Sequence, residues 1–209
     1  MKFYDCATAP SPRRVRIFMA EKGIEIETIQ VDLAKGEQFS DDFKKINPLG
    51  EVPLLVLDDG NSISQVTAIC RYLEEIYPET PLHRRTPLER AQVEASNGQL
   101  QANGMFAAAE AFRNATPGFK NRAAPGPHDY AQIPELAQRG LLRLDNLFSD
   151  LDAHLAESQY IVGDYFSVAD ISALTIIDFA RWVKKSIPED CTNLKRWYDL
   201  VNARPSAKA

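Results

Sequence analysis

The chain has 209 residues, 44% apolar and 25% charged, which is ordinary for a globular protein and enough for one or two domains with a sizeable core. A net charge of −5 and a pI near 5.3 argue against general nucleic-acid binding, and the run Arg13-Arg14-Val15-Arg16 is too short to change that. No apolar stretch approaches a membrane span, no secretory signal opens the chain, and Cys6, Cys70 and Cys191 lie far apart without a paired motif. The expected compartment is therefore the cytoplasm, with reduced thiols and Cys70 buried on its helix. His83, His128 and His154 have no ligand spacing, so no metal site is expected.

The elements follow in chain order. A first strand is predicted over residues 2–5 and a helix over 12–22, closed by Gly23. A second strand is predicted over 26–31, and the long stretch from Asp32 to Pro48 holds a short helix around Asp41-Asp42-Phe43-Lys44. Next comes Gly50-Glu51-Val52-Pro53-Leu54-Leu55-Val56-Leu57-Asp58-Asp59-Gly60. Pro53 opens an apolar strand over 54–58, and Asp59-Gly60 turns it into a partner over 61–63. Proline cannot donate to a sheet ladder, so its place here has two readings. One is a cis Val52-Pro53 bond, which leaves the N–H and C=O of Val52 facing outward as a template for a short peptide. The other is an edge strand that happens to begin with proline.

After the hairpin, Ser64 is a suitable N-cap, and Ala68, Ile69, Tyr72, Leu73 and Ile76 form the apolar stripe of a helix over 65–76. Its start at Gln65-Val66 offers free N–H groups and a positive dipole end, a site for a carboxylate. Tyr77-Pro78-Glu79-Thr80-Pro81 ends this part, and a linker runs to Arg85. Thr86-Pro87-Leu88-Glu89 then starts a helix with a capping box, and one long helical pattern covers 87–112, weakened by Asn97-Gly98 and Asn103-Gly104. Asn114 to Ile133 reads as a loop and a candidate for mobility. Residues 134–157 are helical, with Leu136, Leu141, Leu144, Leu147, Phe148, Leu151 and Leu155 inward. Residues 168–184 are apolar all round, which marks a central buried helix capped by Ser167 and Asp170, and a last helix covers 192–203.

Taken together, these pieces resemble the glutathione S-transferase family, of the cytosolic type with theta- and nu-like bacterial features. The stretches that carry the resemblance are Arg13 to Ile24, Asp32 to Gln38, Ile46 to Gly50, the Val52-Pro53 strand, Gln65-Val66 and Ser167-Val168-Ala169-Asp170. It covers nearly the whole chain, and it implies a thioredoxin-like α/β domain over 1–78 followed by an all-α helical bundle over 86–209. The implied activity is attack of glutathione thiolate on a small hydrophobic electrophile, with glutathione as co-substrate, in a detoxifying homodimer. The implied roles are Val52 and Pro53 for the peptide backbone of glutathione, Gln65 and Val66 for its γ-glutamyl carboxylate, and Lys35 and Gln38 for its glycyl carboxylate.

Three residues depart from the family pattern. Ala9 stands where zeta-like members have Ser and omega-like members have Cys. Val66 lacks the hydroxyl common at its position. Glu51 replaces a frequent Gln or Lys, and would turn outward or repel the ligand. Thiol activation is left to Ser11, which is equally suited to cap the first helix, or to Thr8, while Tyr4 packs in its strand and Cys6 lies too far from the helix start. In the second domain Asn97, Gln101, Met105, Phe106 and Phe112 lie on the helix that would line the acceptor pocket. Two other classes stay open: a transferase-fold binding module without activity, and a glutathione-dependent peroxidase.

Overall fold

A computed structural model of the protein describes residues 1–209. The chain forms two compact units. One holds Met1–Thr80 with Pro125–His128 and Ala209, the other Pro81–Ala124 with Asp129–Lys208.

The first unit is built on a four-stranded sheet of β1 (Lys2–Asp5), β2 (Glu27–Gln30), β3 (Leu54–Val56) and β4 (Ser62–Ser64), in the order β2-β1-β3-β4. β1 and β2 are parallel, with Phe3 opposite Thr28, while β3 runs antiparallel to both β1 and β4. Strand alternation divides the side chains. Tyr4, Leu54 and Val56 join Val31, Leu33, Phe43, Ile46 and Val52 in one cluster beside helix α2 (Asp41–Ile46). Phe3 and Leu55 point to the other face and are fully buried. Helix α1 (Pro10–Lys22) packs on helix α3 (Val66–Ile76), burying Val15, Ile17 and Phe18 of the first and Ile69, Cys70 and Leu73 of the second. Tyr4 packs as expected, edge-on to Phe43 at 5.8 Å between ring centres.

Two helix starts differ from the sequence expectation. α1 begins at Pro10, two residues early, and its N-cap is Ala9, so Ser11 sits inside the first turn and caps nothing. Two prolines in that turn explain the shift, because both fit the first turn, where the N–H would have no partner in any case. α3 begins after Gln65, and Ser64 belongs to β4 rather than serving as N-cap. Pairing of Ser64 with Leu54 holds it in the sheet.

The second unit is helical. α4 (Pro87–Leu100) has the expected capping box, in which the Thr86 hydroxyl accepts from the Glu89 amide and the Glu89 carboxylate accepts from the Thr86 amide. It passes through one π-helical segment, Gln101–Met105, into α5 (Phe106–Ala115), so the helical path runs past residue 112. The π segment has identifiable supports. The Arg143 guanidinium donates to the carbonyl of Ala102 and pairs with Glu110. Gly104 lies where a Cβ would come within 2.9 Å of both Ile176 and Leu147. α5 and α6 (Pro134–Leu155) then approach so closely at Gly140 that a Cβ there would stand 2.5 Å from the Ala107 carbonyl oxygen.

Between α5 and α6, residues 116–133 are tied down. Gln132 donates to the carbonyls of Arg113 and Thr116, Arg113 to those of Arg122 and Ala124, and Asn114 accepts from the Ile133 amide. α7 (Val168–Ala180) is buried along nearly its whole length, as its composition predicts. It ends four residues before the expected 184, its last turn tightening to a 3-10 form at Arg181–Val183. α8 (Thr192–Asn202) closes the fold. The fully buried Asp170 carboxylate accepts four hydrogen bonds, from the amides of Ile161 and Ser167, the Ser167 hydroxyl and the Trp197 indole. Burial pushes this carboxyl above its ordinary pKa, and the four donors oppose the shift. No helix is long and apolar enough to cross a membrane.

Candidate glutathione site

The site residues named from sequence in the first unit fall into four groups: the β3 entrance, the start of α3, the β1–α1 loop with the head of α1, and the loop after β2. The first is the β3 entrance. The Val52-Pro53 bond is cis. The backbone N–H and C=O of half-buried Val52 take no part in the sheet ladder or in the loop hydrogen bonds. Asn47, buried and missed from sequence, organises the approach. Its side-chain amide donates to the Glu51 carbonyl at 2.8 Å and its side-chain oxygen accepts from the Leu49 amide. An Asn-Pro pair signals a turn in sequence, but its tertiary partner four residues on is not legible there.

The second group is the start of α3. Gln65 has φ 71° and ψ 132°, a conformation that a non-glycine residue rarely holds. Such an outlier costs on the order of 1–3 kcal/mol and clusters at ligand sites. It turns the chain out of β4 so that the amides of Val66 and Thr67 open α3 unpaired by the helix itself. The Val66 side chain is buried, so its contribution to a ligand is its N–H alone. The Gln65 side-chain amide donates to the Glu51 carboxylate at 3.1 Å. Glu51 therefore does not swing away from the site; it sits against the α3 start.

The third group is the β1–α1 loop. Ala7 is gripped from both sides: its amide donates to Gln30 Oε1 at 2.9 Å and its carbonyl accepts from Arg16 at 2.9 Å. Both gripping side chains are in turn held by the buried Asp5 carboxylate, each at 2.6 Å. Asp5, Arg16 and Gln30 come from β1, α1 and β2, so only the fold brings them together. Thr8 is exposed, with its hydroxyl 3.5 Å from the Cys6 sulfur.

At the head of α1, Pro10 and Pro12 carry no N–H and the Arg13 amide is bonded to Ala9. The Ser11 amide is thus the one unpaired donor at the positive end of this helix. The Ser11 hydroxyl accepts from the Arg14 guanidinium at 3.5 Å. Arg14 is buried, which pulls its pKa down to about 10 against the opposing influence of Cys70, and it stays cationic at neutral pH. Its charge adds to the positive end of α1.

Lys35 and Gln38 lie on the loop after β2. Exposed Lys35 pairs with Asp32 at 3.1 Å, an interaction that raises the lysine pKa and lowers that of the carboxyl. Gln38 is buried in a 3-10 turn (Glu37–Phe39), and its side-chain oxygen has no protein partner.

In the second unit the expected pocket residues separate. Asn97 is buried and accepts from the Ser172 hydroxyl at 2.6 Å, and Met105 is buried, so both are core. Phe106 is exposed. Phe112 is the centre of an aromatic cluster, edge-on to Phe119, Phe179 and Trp182 at 5.2–5.7 Å between ring centres. Trp182 of this cluster is half exposed.

Known proteins share this organisation. Residues 8–76 match the sequence model of the glutathione S-transferase N-terminal domain, and residues 109–205 that of the C-terminal domain. Glutathione S-transferase 2 of Saccharomyces cerevisiae is 34% identical over 213 residues, covering 100% of this chain and 88% of that protein. A glutathione S-transferase domain-containing protein of Marinobacter aquaeolei superposes with a TM-score of 0.91 at 35% identity, covering 99% of each chain. Gtt2 of Saccharomyces cerevisiae superposes with a TM-score of 0.90 at 34% identity, covering 100% of this chain and 99% of that one. With an open strand edge and a helix start on a thioredoxin-like sheet, a helical second unit, and this similarity along its full length, the chain belongs to the glutathione S-transferase family.

Proposed function

We propose that the protein conjugates glutathione to small apolar electrophiles, as a cytoplasmic homodimer. One observation carries this: an unpaired backbone N–H and C=O at Val52 share a compact unit with the unpaired amides at the α3 start. A short anionic peptide can pair with the first as a strand and place a carboxylate on the second. Val52, two residues before β3 begins at Leu54, takes the cysteinyl backbone. Gln65 and the Val66 amide take the γ-glutamyl carboxylate, and Lys35 and Gln38 the glycyl carboxylate.

The thiol then meets the α1 end. There the Ser11 amide and hydroxyl, with the Arg14 charge behind them, favour the thiolate. Thr8 is the alternative donor. The thiolate sulfur attacks the electrophilic carbon, a C–S bond forms, and the leaving group departs with its bonding pair. Within the second unit, the Phe112–Phe119–Trp182 cluster is aromatic surface of the kind apolar molecules pack on. Light scattering tests the homodimer.

Calorimetry with glutathione at millimolar concentration, followed by conjugation of a nitro-substituted aryl halide, tests the proposal. Binding with turnover supports it, and absence of binding removes it. Binding without turnover would favour a non-catalytic module, the reading that Ala9, Val66 and Glu51 favour. Reduction of an organic hydroperoxide instead would favour a peroxidase.

A further inference from the structure

The loop between α5 and α6 makes an excursion back to the first compact unit. Of residues 81–208, only Pro125–His128 belong to that unit. The stems of the excursion are fixed in the second. The Ala123 amide donates to the Tyr130 carbonyl at 3.0 Å and the Tyr130 amide to that of Asn121 at 2.9 Å, while Arg113 holds the carbonyls of Arg122 and Ala124. Beyond the stems, the backbone from Pro125 to Asp129 enters no loop hydrogen bond. Pro125 and Pro127 restrict the backbone on both sides of Gly126. The tip is therefore stiff in itself and held on the first unit by contact alone.

Gly126 shows where the tip rests. It is buried although its neighbours are exposed, and a Cβ there would stand 3.7 Å from Oε1 of Glu51. Glu51 immediately precedes Val52, the open strand position, and its Oε2 accepts from Gln65 at the α3 start at 3.1 Å. Through this one side chain the tip borders the place proposed above for glutathione. We infer that Pro125–His128 is a gate on that site, which must lift for glutathione to enter and leave. The gate rests on the proposed placement of glutathione. A segment that leaves its seat without breaking a hydrogen bond opens at low cost. Its seating depends on Gly126, whose φ of +101° disfavours a side chain. Space is not the obstacle, since 3.7 Å is ordinary van der Waals contact. Gly126→Ala therefore strains the seated tip without crowding it, and lifting the tip relieves the strain.

A gate alters rates and leaves affinity alone, because it hinders entry and exit alike. Line-shape analysis of magnetic-resonance titrations with isotopically labelled glutathione gives both rates. The strain of a non-glycine residue at positive φ raises the lifted fraction about tenfold. Association and dissociation in Gly126→Ala then both accelerate about tenfold, and the dissociation constant changes by less than about threefold. Gly118→Ala serves as control: it lies in the same loop with open space around it and no positive φ, and its rates should match wild type. Rates in Gly126→Ala equal to wild type, an equal acceleration in Gly118→Ala, or weaker binding with association unchanged would each overturn the gate. A variant with Gly-Gly in place of Pro125–His128 lacks the tip altogether and should show both rates raised at least as far; it decides the matter should Gly126→Ala fold poorly. Failure of wild type to bind glutathione would overturn the placement as well, whereas intact binding with unaltered rates overturns the gate alone.

Discussion

Ser11→Ala isolates the chemistry of thiol activation, because Ala9 is the N-cap of α1 and Ser11 caps nothing. Removing a cap would cost ~1 kcal/mol of stability, whereas an ordinary substitution in a half-buried first turn stays within about 0.5 kcal/mol. The hydroxyl oxygen accepts from Arg14, which leaves the hydroxyl hydrogen free to donate away from the guanidinium. A hydrogen bond to a charged acceptor is worth ~1.5–3 kcal/mol, and 1.36 kcal/mol corresponds to about one pKa unit. Losing the donor disfavours the thiolate, so the pKa of the bound thiol rises by ~1–2 units.

The rate follows the thiolate fraction, so the ascending limb of kcat/KM against pH moves to higher pH by the same amount. Below the wild-type midpoint the variant is slower by about 10- to 100-fold, and above its own midpoint the two profiles converge. Initial conjugation rates across pH, with melting temperature and glutathione affinity measured on the same protein, separate this from a structural effect. A pH profile that superposes on wild type would refute the role of the hydroxyl and leave the Ser11 amide or Thr8 as the donor.

Gln30→Ala frees the Ala7 amide and removes one hydrogen-bond donor from Asp5, so conjugation turnover should drop several-fold with glutathione affinity retained. Turnover equal to wild type would show that the Ala7 grip does not matter to the chemistry. Gly140→Ala sets helix propensity against packing. Propensity alone favours alanine by ~1 kcal/mol, but a Cβ 2.5 Å from the Ala107 carbonyl oxygen forces α5 and α6 apart, for a net loss of ~1–3 kcal/mol. A raised melting temperature would contradict the close crossing. Asp170→Ala strips the acceptor from four buried donors and should cost ~3–5 kcal/mol, a fall in melting temperature on the order of 10 °C. Asp170→Asn should recover part of that, since its side-chain oxygen can still accept from Ile161 and Trp197. An Asp170→Ala protein as stable as wild type would show the network to be dispensable.

Local chemistry was enough to read much of this chain. The Thr86–Glu89 and Ser167–Asp170 capping boxes, the αL glycine after α1, the apolar stripe of α3 and the all-round apolarity of α7 each depend on residues within a few positions of one another. The Val52-Pro53 strand start was legible for the same reason, because proline restricts its own backbone. What sequence could not supply were relations between distant positions. Ser64 is a good cap in isolation, but its pairing with Leu54 keeps it in the sheet and passes the cap to Gln65. Ser11 resembled a cap until two prolines carried the helix past it. Asp5, Arg16 and Gln30 meet at Ala7 from three different elements, and Glu51 reaches Gln65 across fourteen residues. Helix caps and stripes are set by the period of a single element, whereas a binding site is assembled where the ends of several elements converge, and only tertiary packing determines which ends those are.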